Sequence, residues 1–164
     1  MTGSGAILEA GPYRLRRASS GDHDQLVDLQ RKAYARNREL LGLEPLPLLV
    51  DYREVLARNE VWVLDGAAGF NGALVLELRA DDLLIESIAT DPASQGQGIG
   101  RAMLEAALER GRALGYKTVR LYTGSTLTHL IAWYGRHGFE IERTEALSDR
   151  SITHMVKSIA GVQA

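Results

Sequence analysis

A glycine-rich stretch between an apolar segment and an amphipathic one constrains this chain most. The apolar segment ends at Thr90, and helical spacing of apolar residues begins near Met103; the glycines between them are Gly96, Gly98 and Gly100. Glycines let the backbone approach a ligand closely, and a helix N-terminus presents unpaired N–H groups with the positive end of the helix dipole. The stretch therefore predicts a site for a phosphate or pyrophosphate group.

The spacing of these glycines excludes two common phosphate-binding loops. A P-loop requires a Lys after its last glycine, and the dinucleotide fingerprint Gly-x-Gly-x-x-Gly would need a glycine where Arg101 stands. The remaining pattern, Gln95-x-x-Gly98-x-Gly100 after Asp91-Pro92, resembles the acetyl-coenzyme A loop of the GNAT N-acetyltransferase superfamily. A glycine-rich turn that only caps a core helix is the structural alternative. The resemblance implies these cofactor-binding residues: Gln95, Gly96, Gln97, Gly98, Ile99, Gly100 and Arg101. Arg101 would either pair with a cofactor phosphate or project into solvent.

A second segment, which ends in Gly138-Phe139, supports the resemblance. Tyr134 and this pair match the family signature Tyr-x-x-x-Gly-Phe. In the family that tyrosine is the general acid, so Tyr134 is expected to protonate the departing thiolate, although its helical stripe would also suit a core position. Many members have an Asn at the start of this helix to hold the pantetheine arm. Here Leu127 and Thr128 stand nearest, and Thr128 is the predicted substitute.

Composition bounds the remaining possibilities. The 164 residues are 45% hydrophobic, carry a net charge of -2 and contain no cysteine, so we expect one domain, no thiolate chemistry and no nucleic-acid partner. The apolar runs are too short to span a membrane, and the start of the chain does not resemble a signal peptide. We therefore expect a cytoplasmic protein. His129 and His137 lie eight residues apart rather than four, so we expect no metal site.

Periodicity and turn residues predict the element order β-α-α-β-β-β-α-β-α-β-β over residues 13–158. That order is the order of the GNAT fold, an α/β architecture with a mixed, mostly antiparallel sheet of about seven strands and helices on both faces. The strands on either side of the glycine-rich loop and its helix should be parallel. We expect a single domain over residues 13–160, preceded by a flexible leader over residues 1–12.

The predicted strand before the glycine-rich loop supplies two further candidates. Glu86 stands in an otherwise apolar run, and by alternation it should share a face with Ile88. It is the predicted general base, although it could be a solvated carboxylate; His129 and His154 are weaker substitutes. The resemblance implies that the thioester carbonyl is held by a backbone N–H from this part of the strand: Ile88, Ala89 or Thr90.

These expectations converge on an enzyme that transfers the acetyl group of acetyl-CoA directly to a primary amine in a ternary complex. A non-catalytic acyl-CoA-binding sensor is the alternative. The acceptor, a small-molecule or peptide amine, is not named by any motif. The segment from Leu41 to Leu49, interrupted by Gly42 and two prolines, either faces the substrate or is a plain connector. The family resemblance also suggests a possible homodimer.

Overall fold

The computed structural model describes residues 5–160, and its elements follow the predicted order with two additions, a first strand and a second helix. The strands are β1 (Ile7–Ala10), β2 (Tyr13–Arg17), β3 (Glu60–Gly66), β4 (Gly69–Leu78), β5 (Leu83–Thr90), β6 (Thr118–Gly124), β7 (Glu140–Ala146) and β8 (Ser151–Ser158). The α-helices are α1 (His23–Ala33), α2 (Ala35–Leu41), α3 (Tyr52–Arg58), α4 (Ile99–Ala113) and α5 (Thr128–Arg136). Within residues 5–160, no helix is both long and apolar enough to cross a membrane.

The eight strands described here form one sheet in the order β1-β2-β3-β4-β5-β6-β8-β7. Each neighbouring pair is antiparallel except β5 and β6, which are parallel and are connected through α4. The predicted mixed, mostly antiparallel α/β sheet is therefore confirmed, with one strand more than expected. Its parallel pair lies on either side of the glycine-rich loop, where the order of elements predicted it.

The additional strand is β1, in a segment that the sequence prediction assigned to a flexible leader. Ile7–Ala10 pairs with β2 from Ile7 opposite Arg16 to Ala10 opposite Tyr13. Ala10 is 1% exposed and belongs to the core that contains α4. Backbone pairing and this burial hold residues 7–10 in the sheet, so the leader prediction is wrong there. Residues 1–4 of the predicted leader lie outside the described residues.

Helices cover both faces of the sheet, as predicted, because successive side chains of the central strands alternate between two cores. On β3, Trp62 packs into the core of the α4 face, whereas Val61 and Val63 pack into the core of the opposite face. Met103 of α4 lies in the first core, and Leu29 of α1 lies in the second. Burial on both faces fixes the register of the central strands, since a slip of one residue would exchange the two faces.

Candidate active site

The parallel strands β5 and β6 separate partway along their length. Among the described residues, pairing runs only from Leu83 opposite Val119 to Ile85 opposite Leu121. The later residues of both strands instead line a cavity of about 490 Å³. This volume lies in the range of small-molecule sites. Predicted site residues that line the cavity are Glu86, Ile88, Thr90, Gln95 and Tyr134.

Backbone polar groups of β5 face this gap. The Asp91 N–H donates to the Asn71 carbonyl at 2.9 Å, which sets the alternation of the antiparallel β4–β5 ladder. By that alternation the N–H groups of Ile88 and Thr90 point away from β4 and toward β6, as the prediction for this strand required. Ala89 is the exception. Its N–H points toward β4 and its side chain is buried in the core of the α1 face, so its predicted contact with the cofactor is not supported.

Glu86 lies at a β-bulge. Val75 of β4 pairs with Ser87, and Leu76 pairs with Ile85, so Glu86 is the extra residue of β5. The bulge interrupts the alternation of side chains. Ile88 packs against the core of the α4 face, whereas the Glu86 carboxylate bonds to Asn59 at the end of α3, on the opposite face. The expectation that Glu86 and Ile88 share a face is therefore wrong, because strict alternation does not continue through a bulge.

The Glu86 carboxylate is half-buried and is held by a neutral donor. Asn59 Nδ2 donates to Glu86 Oε2 at 2.6 Å, and Glu86 lines the cavity from beside Ser87. Burial raises the pKa of Glu86, the negative charge of Glu77 raises it further, and the Asn59 hydrogen bond opposes the increase. Sequence analysis missed Asn59. It is visible in the sequence only as a polar residue after α3, with no sign of its partner.

Tyr34 joins α1 to the bulged part of β5 and was also missed. Its hydroxyl lies 2.9 Å from Ser87 Oγ and 3.5 Å from the Ile88 carbonyl. Ser87 Oγ in turn donates to Gln30 Oε1 at 3.3 Å. Burial raises the pKa of Tyr34, so its phenol is neutral at neutral pH. These contacts hold β5 where its backbone departs from β6.

The glycine-rich loop has the backbone that an anion site requires. The Asp91 carboxylate accepts the Ala93 N–H at 3.0 Å, and the Tyr13 hydroxyl donates to the Gln97 carbonyl. Gly96 and Gly98 have φ of 87° and 74°, in the left-handed region that favours glycine. The first hydrogen bond of α4 runs from Ala102 N to the Gly98 carbonyl at 3.0 Å. The N–H groups of residues 99–101 therefore precede the helical ladder and lie at the positive end of the dipole.

Side chains of this loop differ in what they can reach. Ile99 is buried in the core and offers only its backbone, whereas Gln95 lines the cavity. Gln97 and Arg101 are exposed, and Arg101 lies on the first turn of α4. The predicted pairing of Arg101 with a phosphate remains a prediction.

Helix α5 brings Tyr134 to the cavity wall. The Tyr134 ring packs edge-on against Trp133 and Phe139, with centroids 5.0 and 5.8 Å away. Burial raises the pKa of its phenol, so the hydroxyl keeps its proton at neutral pH. Leu127 is 4% exposed and lines the cavity, whereas Thr128 begins α5 and is exposed. The contact predicted for Thr128 remains a prediction.

The two histidines considered as substitute bases lie in different surroundings. His129 is exposed on α5 and lines the cavity. His154 Nε2 lies 2.8 Å from Glu145 Oε1 and stacks at a tilt beside Tyr122, with ring centroids 5.7 Å apart. His154 belongs to a separate groove, on the exposed face of β6 and β8. Of the two, only His129 lies at the cavity.

The segment after α2 forms the wall opposite β5. Leu46–Leu48 is a short 3-10 helix, and Tyr52 donates its hydroxyl proton to the Pro47 carbonyl at 2.6 Å. Arg150 Nη1 donates to the Glu44 carbonyl at 2.7 Å from the hairpin between β7 and β8. The sequence leaves this segment as either a substrate-facing loop or a plain connector. Pro45 to Pro47 line the cavity, which supports a position at the site.

Residues 24–139, which run from α1 to the segment before β7, match the model of the "Acetyltransferase (GNAT) family". The chain belongs to this family. It is 30% identical over 123 residues to an uncharacterized N-acetyltransferase, YvbK, of Bacillus subtilis (strain 168), covering 73% of this chain and 70% of that protein. The GNAT chain is thus an acyltransferase.

Two further relatives show how far the likeness extends. A mycothiol acetyltransferase of Propionibacterium freudenreichii subsp. shermanii is 33% identical over 150 residues, which are 80% of this chain and 44% of that protein. The GNAT chain therefore spans less than half of this relative. A crystal structure of the PaiA N-acetyltransferase of Thermoplasma acidophilum with coenzyme A superposes with a TM-score of 0.70 at 16% identity, covering 88% of this chain and 97% of that one. At that identity the likeness shows the fold.

Proposed function

We propose that this GNAT chain transfers the acetyl group of acetyl-CoA directly to a primary amine while both substrates are bound. The observation that carries the proposal is the separation of β5 and β6 after Ile85 and Leu121. Gln95, at the start of the glycine-rich loop, and Glu86 line the same cavity. A cofactor and an acceptor can therefore meet at the same backbone, as direct transfer requires.

The residues at the loop fit the cofactor. Residues 99–101 offer backbone N–H groups ahead of the helical ladder, and the positive φ of Gly96 and Gly98 directs the loop backbone into a tight turn. Together they suit a pyrophosphate. Gln95 and Leu127 line the path from the loop into the cavity, where the pantetheine arm would lie. That the PaiA structure holds coenzyme A supports the same assignment here.

When bound, acetyl-CoA supplies a thioester whose carbonyl carbon accepts the amine nitrogen. The N–H groups of Ile88 and Thr90 face the gap, and one of them would donate to the carbonyl oxygen as it gains negative charge. Tyr134 would give its phenolic proton to the departing sulfur, and the proton that the attacking nitrogen loses as the amide forms would return to the phenolate, directly or through water. Burial raises the pKa of this phenol, so it is protonated at neutral pH but is a weaker acid than a free tyrosine, and its proton would move only as negative charge develops on the sulfur.

Glu86 would accept a proton from the incoming ammonium, directly or through water. An amine reacts only as the neutral form, so a base near the nitrogen is needed at neutral pH. Half-burial raises the pKa of Glu86 and brings it closer to the working range of a base. Asn59 occupies one carboxylate oxygen, which leaves Oε1 for the substrate.

The proposal is tested by measuring thiol release and acetylated product with a panel of amines that includes small monoamines, peptides with free N-termini and lysine derivatives. We expect stoichiometric product and initial-rate plots that intersect when both substrates are varied. Parallel plots would indicate an acetylated enzyme and contradict direct transfer. Binding of acetyl-CoA with no thiol release for any amine would instead support the sensor function.

A further inference from the structure

The charges in the cavity wall restrict the kind of amine that fits, an argument that rests on the proposed transfer to an amine. Glu86 is the single carboxylate among the wall residues within 5–160. The permanent cations of the wall are the guanidinium groups of Arg36 and Arg150, and His129 is a further titratable group there. One ammonium therefore has a partner of opposite charge, and a second ammonium would meet cations.

Arg150 is already engaged. Its side chain is 8% exposed; Nε and Nη2 donate to Asp149, each at 3.0 Å, and Nη1 donates to the Glu44 carbonyl at 2.7 Å. Its charge is thus paired with that of Asp149, and three of its N–H groups are bonded within the protein. Arg150 connects the β7–β8 hairpin to the segment after α2 through its hydrogen bond to Glu44.

Arg36 is in a different state. It is exposed on α2, and it forms no ion pair with any carboxylate in the described part of the chain, whereas Arg38 of the same helix pairs with Glu44 at 2.8 Å. The rim of the cavity at α2 therefore carries a positive charge that no ion pair within residues 5–160 neutralises, and Glu39 of the same helix does not line the cavity. Because Arg36 is exposed, water screens its charge, so it repels a second ammonium weakly and attracts a carboxylate just as weakly. Neither interaction offsets the cost of removing a second charge from water.

Beside polar side chains such as Asn37, Ser87 and Thr123, the wall carries apolar and aromatic ones. These apolar and aromatic residues include Tyr34, Leu41, Leu46, Pro47 and Tyr122. Burial raises the pKa of both Tyr34 and Tyr122, so these phenols are uncharged. Such a wall favours an apolar body and disfavours a second charge of either sign, which would lose hydration and gain at most a weak, water-screened interaction with Arg36.

We propose that the acceptor is a small primary amine with one positive charge and an apolar body, its nitrogen at Glu86 and its body between Tyr34 and the Leu46–Leu48 segment. Because the cavity of about 490 Å³ must also hold the acetyl end of the cofactor, the acceptor is small. Diamines, polyamines and amines with a carboxylate are poor acceptors.

Three amines with the same six-carbon chain test this assignment with the full-length protein. Hexylamine has one charge, hexamethylenediamine adds a second ammonium, and ε-aminocaproate adds a carboxylate. We expect kcat/KM per amino group to be roughly tenfold higher for hexylamine than for the other two, as one unpaired charge in a partly buried site would produce. An equal or higher value for either charged analogue would overturn the proposal.

Substitutions of Arg36 sharpen the test, since an exposed residue on α2 can be changed without disturbing the core. Arg36→Glu places a carboxylate at the rim. The kcat/KM for hexamethylenediamine, divided by the kcat/KM for hexylamine, should therefore rise. Arg36→Gln, the matched control, removes the charge without reversing it and should raise the ratio less. If the ratio is the same in all three proteins, the acceptor does not extend toward α2 and the proposed orientation is wrong.

Calorimetric binding of the three amines to the protein saturated with coenzyme A separates this inference from the proposed function. If hexylamine binds best but no amine is acetylated, the acceptor class stands and the transfer proposal fails. If product forms but a charged analogue is preferred, transfer stands and the acceptor class fails. Absence of both turnover and binding preference would overturn both.

Discussion

The two ends of the cavity are built in different ways. The end proposed for the cofactor, which we call the cofactor end, is built from the turn, the glycines and the start of α4, all within residues 91–101, one continuous piece of chain. The end proposed for the acceptor, which we call the acceptor end, brings together residues from five separate segments that meet only in the fold: Tyr34, Asn59, Glu86, Tyr122 and Arg150. A local sequence pattern can therefore predict the loop at the cofactor end, whereas no local pattern predicts which residues meet at the acceptor end. Each end should also fail differently when it is mutated.

The largest effect is expected at the cofactor end, from Gly98→Asp. The residue is the N-cap of α4 with φ 74° and ψ 15°. A carboxylate there would place negative charge at the site proposed for the pyrophosphate and would also strain the backbone. We expect acetyl-CoA to lose its ability to raise the melting temperature, which calorimetry or dye-based melting measures.

Gly42→Asp separates charge at the site from backbone strain. Gly42 caps α2 with φ 70° and ψ 15°, and among the described residues neither glycine has an atom within 4 Å of the place its Cβ would take. Both variants strain the backbone, and Gly42→Asp should lose more stability, because its carboxylate lies at a helix C-terminus whereas that of Gly98→Asp lies at a helix N-terminus. Only Gly98→Asp should lose the response to acetyl-CoA. A folded Gly98→Asp protein that binds as tightly as the parent would show that the loop is not the cofactor site.

Tyr134→Phe should give the next largest effect, where the two ends meet. The change removes only the hydroxyl and keeps the ring packed against Trp133 and Phe139. Loss of a general acid typically lowers the rate by roughly 100- to 10,000-fold. We expect kcat to fall by that order while the dissociation constant of coenzyme A is unchanged. If chemistry limits the rate and kcat does not change, Tyr134 is a packing residue.

The fold and the glycine-rich loop were predictable because short-range patterns encode them. Strand, turn, glycines and helix follow each other between Leu83 and Ala113, and a helix between two strands implies a parallel pair. Burial of alternate residues on β3 and β4 encodes the sheet in the same local way. Strand β1 was missed because four residues beside a turn carry too short a pattern to distinguish from a leader.

The acceptor end was predicted only in part because it depends on register. Glu86 was identified by its charge in an apolar run, but its direction followed from alternation, which the bulge between Ile85 and Ser87 interrupts. A bulge is defined by the partner strand, and the residues of β5 alone do not specify it. The partner Asn59 lies 27 positions away along the chain, and no local pattern connects it to Glu86.

Asn59→Ala tests this long-range contact and should have a smaller, pH-dependent effect. Glu86 must be ionised to act as a base, so kcat/KM falls as the pH drops below its pKa. The Asn59 donor stabilises the carboxylate and lowers that pKa. Its removal should shift the acid limb of the pH profile to higher pH, and Asn59→Asp should shift it further because it adds a like charge. Asn59→Gln, which keeps the amide, should restore part of the parent profile.

The groups acting on Glu86 from neighbouring elements are kept constant in this comparison. They are Glu77 and Arg79 from β4 and the turn after it, Tyr52 from α3 and Tyr122 from β6. Asn37→Ala, at the α2 side of the cavity, is the matched control. It should leave the apparent pKa of the acid limb of the kcat/KM profile unchanged. If Glu86→Gln abolishes the acid limb but Asn59→Ala does not move it, Asn59 has no positioning role.

The smallest effect is expected from Tyr52→Phe, which loosens the acceptor wall without touching the cofactor end. Tyr52 is 6% exposed, and its hydroxyl donates to the Pro47 carbonyl at 2.6 Å. Losing one such bond costs about 1 kcal/mol of stability. Tyr116→Phe removes a bond of the same kind, to the Arg79 carbonyl at 2.7 Å, at an exposed place away from the cavity. It should lose less stability, because water can replace an exposed bond. Only Tyr52→Phe should raise the KM for the amine, because only it frees the Leu46–Leu48 segment. An equal KM in both would mean that this segment does not contact the acceptor, and the comparison between the two ends would then rest on Glu86 and Asn59 alone.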